Sequence, residues 1–268
     1  MANPYASVVI CTRGTPTKVI QFLRDQTFRD FEIIIATEKG MMNAMNSALK
    51  QARGDIFVRV DDDVKIPSTW LALLVGSFKD HDVAGVTGPT YVPKERRAFR
   101  DSIRWAENPK GLLKWLYDGN EFKPGGIRRC GCVSYDSNYQ ERFLGRGLHL
   151  PFECDHLEGT NWAMRTDLIR KVGGYDPKFD GVCEWFDTDI EQKVKKLGYR
   201  FLYNPYAYLY HLLEQGDHYN ERFDGFGRIK NFIRFNWRHA RWRFFEPKFY
   251  IYLIIWFFYF VGKRLRLV

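Results

Sequence analysis

Residues 55–67 read DIFVRVDDDVKIP, an apolar run that ends in three adjacent aspartates. The run 55–60 has the length and β-branched content of a buried strand. Asp61, Asp62 and Asp63 then fall at its C-terminal end, where three neighbouring carboxylates repel one another. A fold that keeps them there must offset their charge. Hard oxygen donors of this kind suit a divalent cation, Mg²⁺ or Mn²⁺, and such a cation also holds phosphate. A solvated turn is the bland alternative. A nucleotide hydrolase strand is another, but no G-x-x-x-x-G-K-[ST] loop occurs in the chain.

Working outward, strands and helices alternate. Strands are expected over 6–12 (ASVVICT), 31–38 (FEIIIATE), 55–60 and 83–88 (VAGVTG). Helices are expected over 15–27, with Val19, Phe22 and Leu23 at helical spacing and Pro16 in the first turn. Two more should cover 41–52, stopped by Gly54, and 67–81, with Ser68 or Thr69 as cap. This alternation predicts a parallel sheet covered by helices. Ligands of such sheets bind outside the carboxyl ends of the strands. Thr12-Arg13, Thr37-Glu38 and Asp61 to Asp63 should therefore converge on one rim.

Residues 89–157 show no clear period, although 95–107 can be read as helical. Later, 166–176 reads as a short helix closed by Gly173-Gly174, and 187–200 as a helix stopped by Gly198. Residues 201–211 are strand-like and interrupted by Pro205. From 222 onward the chain carries 11 Lys/Arg against 2 acids, whereas residues 1–221 balance at 30 and 30. The net charge of +9 thus belongs to the tail. There, Phe226, Ile229, Ile233, Trp237, Ala240 and Phe244 recur at helical spacing beside Lys230, Arg234, Arg238 and Arg241. An amphipathic basic helix with aromatic anchors suits a membrane surface. After Pro247, residues 249–262 form an uncharged run of 14, shorter than the ~20 needed to span a bilayer. An interfacial segment or a core helix fits that length. The five cysteines include no C-x-x-C pair, so free structural thiols are expected. Residues 1–20 lack a basic start followed by an apolar run, so no secretory signal is expected.

Five stretches, SVVICTRG, QTFRDFEIII, NSALKQARGDIFVRVDDDV, GTNWAMRTDLIRKVGGYD and FDTDIEQKVKKLGYRFLYNPYAYLYH, resemble in order the successive blocks of family 2 glycosyltransferases. The resemblance spans about 6–211 apart from the middle segment. It implies an α/β fold of GT-A type, a Rossmann-like, mostly parallel sheet with helices on both faces, here with C-terminal amphipathic or apolar helices. It divides the chain into a catalytic domain, 1–221, with 89–157 as a variable acceptor-side segment, and a membrane-associating tail, 222–268. Asp61 and Asp63 match the family's D-x-D. Asp63 would ligate Mn²⁺ or Mg²⁺, and Asp61 would share the ion or bond ribose. Asp62 would face the donor or point away. His211 resembles the late histidine of many members' metal sites; a structural role is its alternative.

The same resemblance makes Asp187 the general base of an inverting transfer, or else a plain helix cap. The family commonly has Glu before this Asp, where Phe186 stands here. Glu184, three positions earlier, would reach the acceptor instead. Thr12, Arg13, Glu38, Asn43 and Asn46 would grip the nucleotide. Gly159 and Thr160 would line the acceptor side, and Trp185 would stack on a sugar or fill the core. The expected reaction moves a sugar from a nucleoside diphosphate to a hydroxyl or lipid-linked acceptor, a glycan or polyprenyl-linked molecule. The expected place is the cytoplasmic face of a membrane, peripheral or C-terminally anchored through 222–268. One rival is a sugar-1-phosphate nucleotidyltransferase, disfavoured because CTRGTPTK has one glycine where a glycine-rich loop belongs. The other is a non-enzymatic lipid- or nucleic-acid-binding protein. The apolar stripe fits lipid better than a nucleic acid, so no nucleic acid is expected.

Overall fold

The computed structural model describes residues 3–12, 14, 17–93, 111–116, 125–131, 133, 150–179, 184–212 and 225–265. Arg13, Cys132, Cys183 and the helix expected over 95–107 lie outside these residues. Five strands of the main sheet point the same way: β1 (Ala6–Cys11), β2 (Phe31–Ala36), β3 (Ile56–Val60), β5 (Val83–Thr87) and β9 (Arg200–Tyr203). Two run against them: β8 (Asn161–Arg165), between β3 and β5, and β7 (Phe152–Cys154), at the edge. The sheet order is β2-β1-β3-β8-β5-β9-β7. A second sheet places β10 (Leu209–His211) between β4 (Val64–Lys65) and β6 (Thr90–Tyr91).

Alternation of side chains along the strands sorts the core into two layers. Ala6, Val8 and Ile10 of β1 and Ile56, Val58 and Val60 of β3 pack with α1 (Thr17–Arg24) and α3 (Trp70–Val75). Val9 and Phe57 face the opposite side. That side is covered by α2 (Met41–Gln51), α5 (Thr166–Lys171) and α6 (Phe186–Lys195). The short helix α4 (Gly111–Leu116) contributes Leu116 to the same layer. So do α7 (Gly225–His239) and α8 (Pro247–Arg264), through Phe232, Phe235, Phe249 and Tyr252. Helices α7 and α8 thus share this core layer with α2, α5 and α6. Pro247 stands at the first position of α8, where its missing N–H costs nothing.

Several boundaries differ from the sequence reading. The helix expected over 67–81 narrows to α3, and neither Ser68 nor Thr69 caps it with a side chain. The Ser68 carbonyl instead accepts from the N–H and hydroxyl of Thr27. Gly173 and Gly174 close α5 with φ of 86° and 70°, a region open to glycine at no steric cost.

Asn161 ties the two sheets together. It is fully buried; its Oδ1 accepts from Trp70 Nε1 at 2.8 Å, and its Nδ2 donates to the carbonyls of Pro89 and Ala207 at 3.0 and 2.9 Å. Those carbonyls lie just before β6 and β10. Asn161→Ala would strand three buried polar groups, each costing about 1–3 kcal/mol when unpaired. Even at the low end, about 3 kcal/mol in all, the thermal midpoint should fall by roughly 6–12 °C. An unchanged midpoint in a calorimetric scan would show that another contact holds the second sheet.

Candidate active site

Alternation along β3 determines where its one charged residue points. Val58 and Val60 face the α1/α3 layer, so Arg59 faces α6. Its side chain is 5% exposed, too buried for an unpaired charge. Nη1 donates to Asp187 Oδ2 at 2.9 Å and to the carbonyl of Gly159. Nη2 donates to Asp61 Oδ1 at 3.1 Å. The guanidinium also lies 5.2 Å from the Phe186 ring centroid. Gly159 is within reach because β8 runs antiparallel to β3, with Val60 opposite Asn161. Burial works against the Arg59 charge, but the Asp187 and Asp61 carboxylates outweigh it and hold its pKa above the ordinary value.

Asp187 sits in the first turn of α6. Burial pushes its pKa up to about 7; Arg59 pulls against that rise, while Glu191 and Asp61 add to it. Its second oxygen, Oδ1, is buried and has no hydrogen-bond partner among the described residues. Gly159 is matched to this carboxylate: a Cβ there would stand 3.2 Å from Asp187 Oδ2. The residue before α6's first turn, Trp185, has φ 71°, an uncommon backbone for a bulky side chain.

The second sheet brings His211 to the aspartates. β10 pairs antiparallel with β4, setting His211 opposite Val64, and Leu212 N–H donates to the Asp63 carbonyl at 2.9 Å. His211 Nε2 then stands 3.0 Å from Asp63 Oδ1 and 3.9 Å from Asp61 Oδ2. One donor atom from each of Asp61, Asp63 and His211 falls within 4.8 Å of the others. Two carboxylates and an imidazole form a donor set that fits Mn²⁺ or Mg²⁺. Asp61 thus faces two ways, with Oδ1 on Arg59 and Oδ2 towards the histidine. Asp62 turns to β1, where its Oδ2 accepts from the Thr12 hydroxyl. Burial and its two aspartate neighbours raise its pKa against that hydrogen bond.

The remaining candidates divide. Thr12 Oγ1 also accepts from Gly14 N–H at 3.0 Å, which fixes it at the rim. Thr160 lies beside Thr90, their hydroxyl oxygens 3.4 Å apart. Glu38 is exposed and accepts from the Ser47 hydroxyl, which holds its pKa below the usual range. Asn43, also exposed, donates to the Lys39 carbonyl at 3.1 Å. Asn46 is occupied elsewhere: its amide exchanges hydrogen bonds of 2.8 and 2.9 Å with the Tyr175 backbone, clamping α2 to the chain after α5. Glu184 pairs with Arg228 at 3.0 Å. Trp185 takes the core alternative, with ring centroids 5.1 Å from Phe232 and 4.9 Å from Phe235. Asp189 accepts from His239 and Arg238, each at 2.8 Å, and pairs with Lys193. Burial alone would raise it, but those cationic and N–H partners hold it at about 2.

Two features around Asp187 were not foreseen. One is Arg59, signalled by a lone charge inside the apolar run IFVRV. The other is the buried pair His156 Nδ1 and Glu191 Oε2, 2.9 Å apart. Burial disfavours the His156 charge, yet Glu191, then Glu158 and Asp187, raise its pKa. Glu191 stands one helical turn beyond Asp187, a spacing that puts both on one face of α6.

Comparison with known proteins bears on this arrangement. Residues 9–173 match the model described as Glycosyl transferase family 2. Probable glycosyltransferase YdaM of Bacillus subtilis (strain 168) is 24% identical over 170 residues, which cover 63% of this chain and 33% of that protein. The uncharacterized protein y4gI of Sinorhizobium fredii (strain NBRC 101917 / NGR234) is 26% identical over 167 residues, 62% of this chain and 16% of that one. The chain therefore spans a third or less of these relatives' length. Among solved structures, the mannosyltransferase PcManGT from Pyrobaculum calidifontis, in complex with GDP-Man and Mn²⁺, has a TM-score of 0.54 at 17% identity. That match covers 90% of this chain and 65% of the other. GalNAc-T7 with UDP, GalNAc and Mn²⁺ has a TM-score of 0.53 at 16% identity, over 87% and 48%. Both share the GT-A architecture described above. With the family model matching more than half of its length, the chain belongs to glycosyl transferase family 2.

Proposed function

We propose that the chain transfers a hexosyl group from a nucleoside diphosphate donor to an acceptor hydroxyl, with inversion at the anomeric carbon. One observation carries this reading: a single guanidinium joins the carboxylate of Asp187 to a carboxylate of the Asp61, Asp63 and His211 cluster. Solved relatives of the same fold hold GDP-Man, or UDP and GalNAc, each with Mn²⁺, which supports a nucleotide-sugar donor.

Arg59 occupies one oxygen of Asp187, which leaves Oδ1 to accept a hydrogen bond from the acceptor hydroxyl. As that hydroxyl oxygen forms its bond to the anomeric carbon, its proton passes to Asp187 Oδ1. The bond from the anomeric carbon to the diphosphate oxygen breaks on the opposite side. Asp61, Asp63 and His211 would hold the dication, which when bound offsets the charge of the departing diphosphate. Thr12, held by Asp62, would grip the nucleotide with Glu38 and Asn43. Gly159 and Thr160 line the acceptor side. Glu184, paired with Arg228, would reach the acceptor.

We further propose a glycan or polyprenyl-linked acceptor at the cytoplasmic face of a membrane. Exposed aromatic residues of α7 and α8 and the exposed Lys230 of α7 support the membrane, and free thiols at Cys11 and Cys154 suit a reducing compartment. A sugar-1-phosphate nucleotidyltransferase would release pyrophosphate, so identifying the leaving group separates the two reactions.

Asp187→Asn is expected to lower kcat by roughly 10²–10⁴-fold. Mn²⁺-dependent binding of the nucleoside diphosphate should persist in that variant, as calorimetry can measure. Full turnover would remove Asp187 from the role. Asp63→Ala should instead abolish Mn²⁺-dependent nucleotide binding itself.

The base must be ionised to act, so kcat should rise with pH through about 7 and fall away below it. Arg59 lowers the Asp187 pKa. Arg59→Met should therefore move the acid limb of the kcat profile to higher pH, while Arg59→Lys moves it less. An acid limb that stays in place in Arg59→Met would show that Arg59 does not set the base.

A further inference from the structure

We propose that the outer faces of α7 and α8 form a docking surface for an anionic lipid bilayer, with both helices lying in the plane of its interface. At about 3.6 residues per turn, Tyr250, Ile254, Phe257 and Phe258 fall on one side of α8. All four are exposed, at 48%, 54%, 45% and 67%. The opposite side is apolar as well, and its Phe249, Tyr252 and Phe260 are buried. A helix that covers a core and faces water carries polar residues on its outer side. This one is apolar on both.

The exposed side of α7 continues the patch. Phe226, Ile233 and Trp237 are 47%, 39% and 57% exposed and follow one helical stripe. The rings of Phe226 and Phe257 lie 6.1 Å apart, joining the two helices. At the turn between them Phe245 is 89% exposed. Exposed apolar side chains gathered on neighbouring helices, rich in aromatic rings, mark an interaction surface.

Charge and length identify the occupant. Glu246 is the sole acid between residues 225 and 265, and it is taken by Arg129 at 2.5 Å. Lys230 lies exposed on the α7 stripe, and the exposed Arg241 guanidinium sits 4.8 Å from the Trp237 ring centroid. Tyr and Trp with flanking cations favour the headgroup region, and the cations favour anionic lipid. Among the described residues no helix is long and apolar enough to cross a membrane. A helix of this character therefore rests in the interface.

This face differs from the stripe read in the sequence. Arg234 and Arg238 turn inward, to the Lys178 carbonyl and to Asp176 and Asp189. On that inner side Phe232 and Phe235 hold Trp185, two residues before Asp187. One helix thus carries lipid contacts outside and supports the turn bearing the base inside. The proposal deepens the acceptor reading above and rests on it for the acceptor's class, though lipid docking itself does not.

The test is flotation of the whole chain with phosphatidylcholine vesicles, with and without phosphatidylglycerol. The chain should float with the anionic vesicles and less so with the neutral ones. Phe245→Ser/Phe257→Ser/Phe258→Ser should lose at least roughly tenfold in vesicle partition. Its thermal midpoint and its Mn²⁺-dependent nucleotide binding should be unchanged. Lys230→Glu should weaken binding to anionic vesicles alone. Failure of the wild type to float, or equal flotation of the triple variant, would overturn the proposal. So would a lipid-free dimer in sedimentation that the triple variant abolishes, since a second copy would then cover the face. Flotation without measurable sugar transfer would leave the docking surface standing and count against the transferase reading.

Discussion

The site depends on one buried cation. Arg59 lies within a sheet, where an isolated charge would be costly, and three acceptors around it make the position tolerable. The dependence is mutual. Without the guanidinium, Asp187 and Asp61 would be two buried or half-buried carboxylates sharing a small space. A guanidinium suits this place better than an ammonium, because its planar fork reaches two carboxylates and a carbonyl at once. Removing one partner of such a cluster costs about 3–5 kcal/mol, since the charges left behind lose their compensation. Geometry and electrostatics are therefore joined: the contact that orients Asp187 also moderates its proton affinity.

Topology supplies the partners. β8 enters against the direction of β3 and delivers Gly159 to the guanidinium. The small sheet of β4, β10 and β6 is a separate device. By pairing the residues just after the aspartates with the last strand, it lays His211 against Asp63 across nearly 150 residues of chain. Behind α6, helix α7 closes the arrangement, with Arg238 and His239 on Asp189 and two phenylalanines on Trp185. The positive φ at Trp185 is held by that packing.

Much of this could be read from the residues. The alternation of apolar runs with helical periods placed four core strands, β1, β2, β3 and β5, because buried parallel strands need continuous apolar, β-branched stretches. The aspartates marked the rim for the same reason. Strand β8 was missed because NWAMR has no turn signal before its helix, and its pairing is decided by distant strands. β4 and β6 are two residues long, too short for any period to register, whereas β9 and β10 fall at either end of the strand-like stretch 201–211, on the two sides of Pro205. Asn46 sits on the helix facing the rim, yet its amide goes to Tyr175, a partner 129 residues away that no local pattern announces. Trp185 could be read either way until the rings of α7 were in place. The tail's apolar stripe was legible as amphipathic. Its phase was not, since Phe232 and Phe235 lie beside it and only packing shows which side turns inward.

Diffraction from crystals grown with Mn²⁺ and a nucleoside diphosphate, collected at the manganese edge, tests the central claim most directly. The account predicts one anomalous peak bounded by Asp61, Asp63 and His211, with Asp187 held by Arg59 on the side of the diphosphate. Manganese bound elsewhere, or Asp187 released from Arg59 and turned away from the diphosphate, would contradict it.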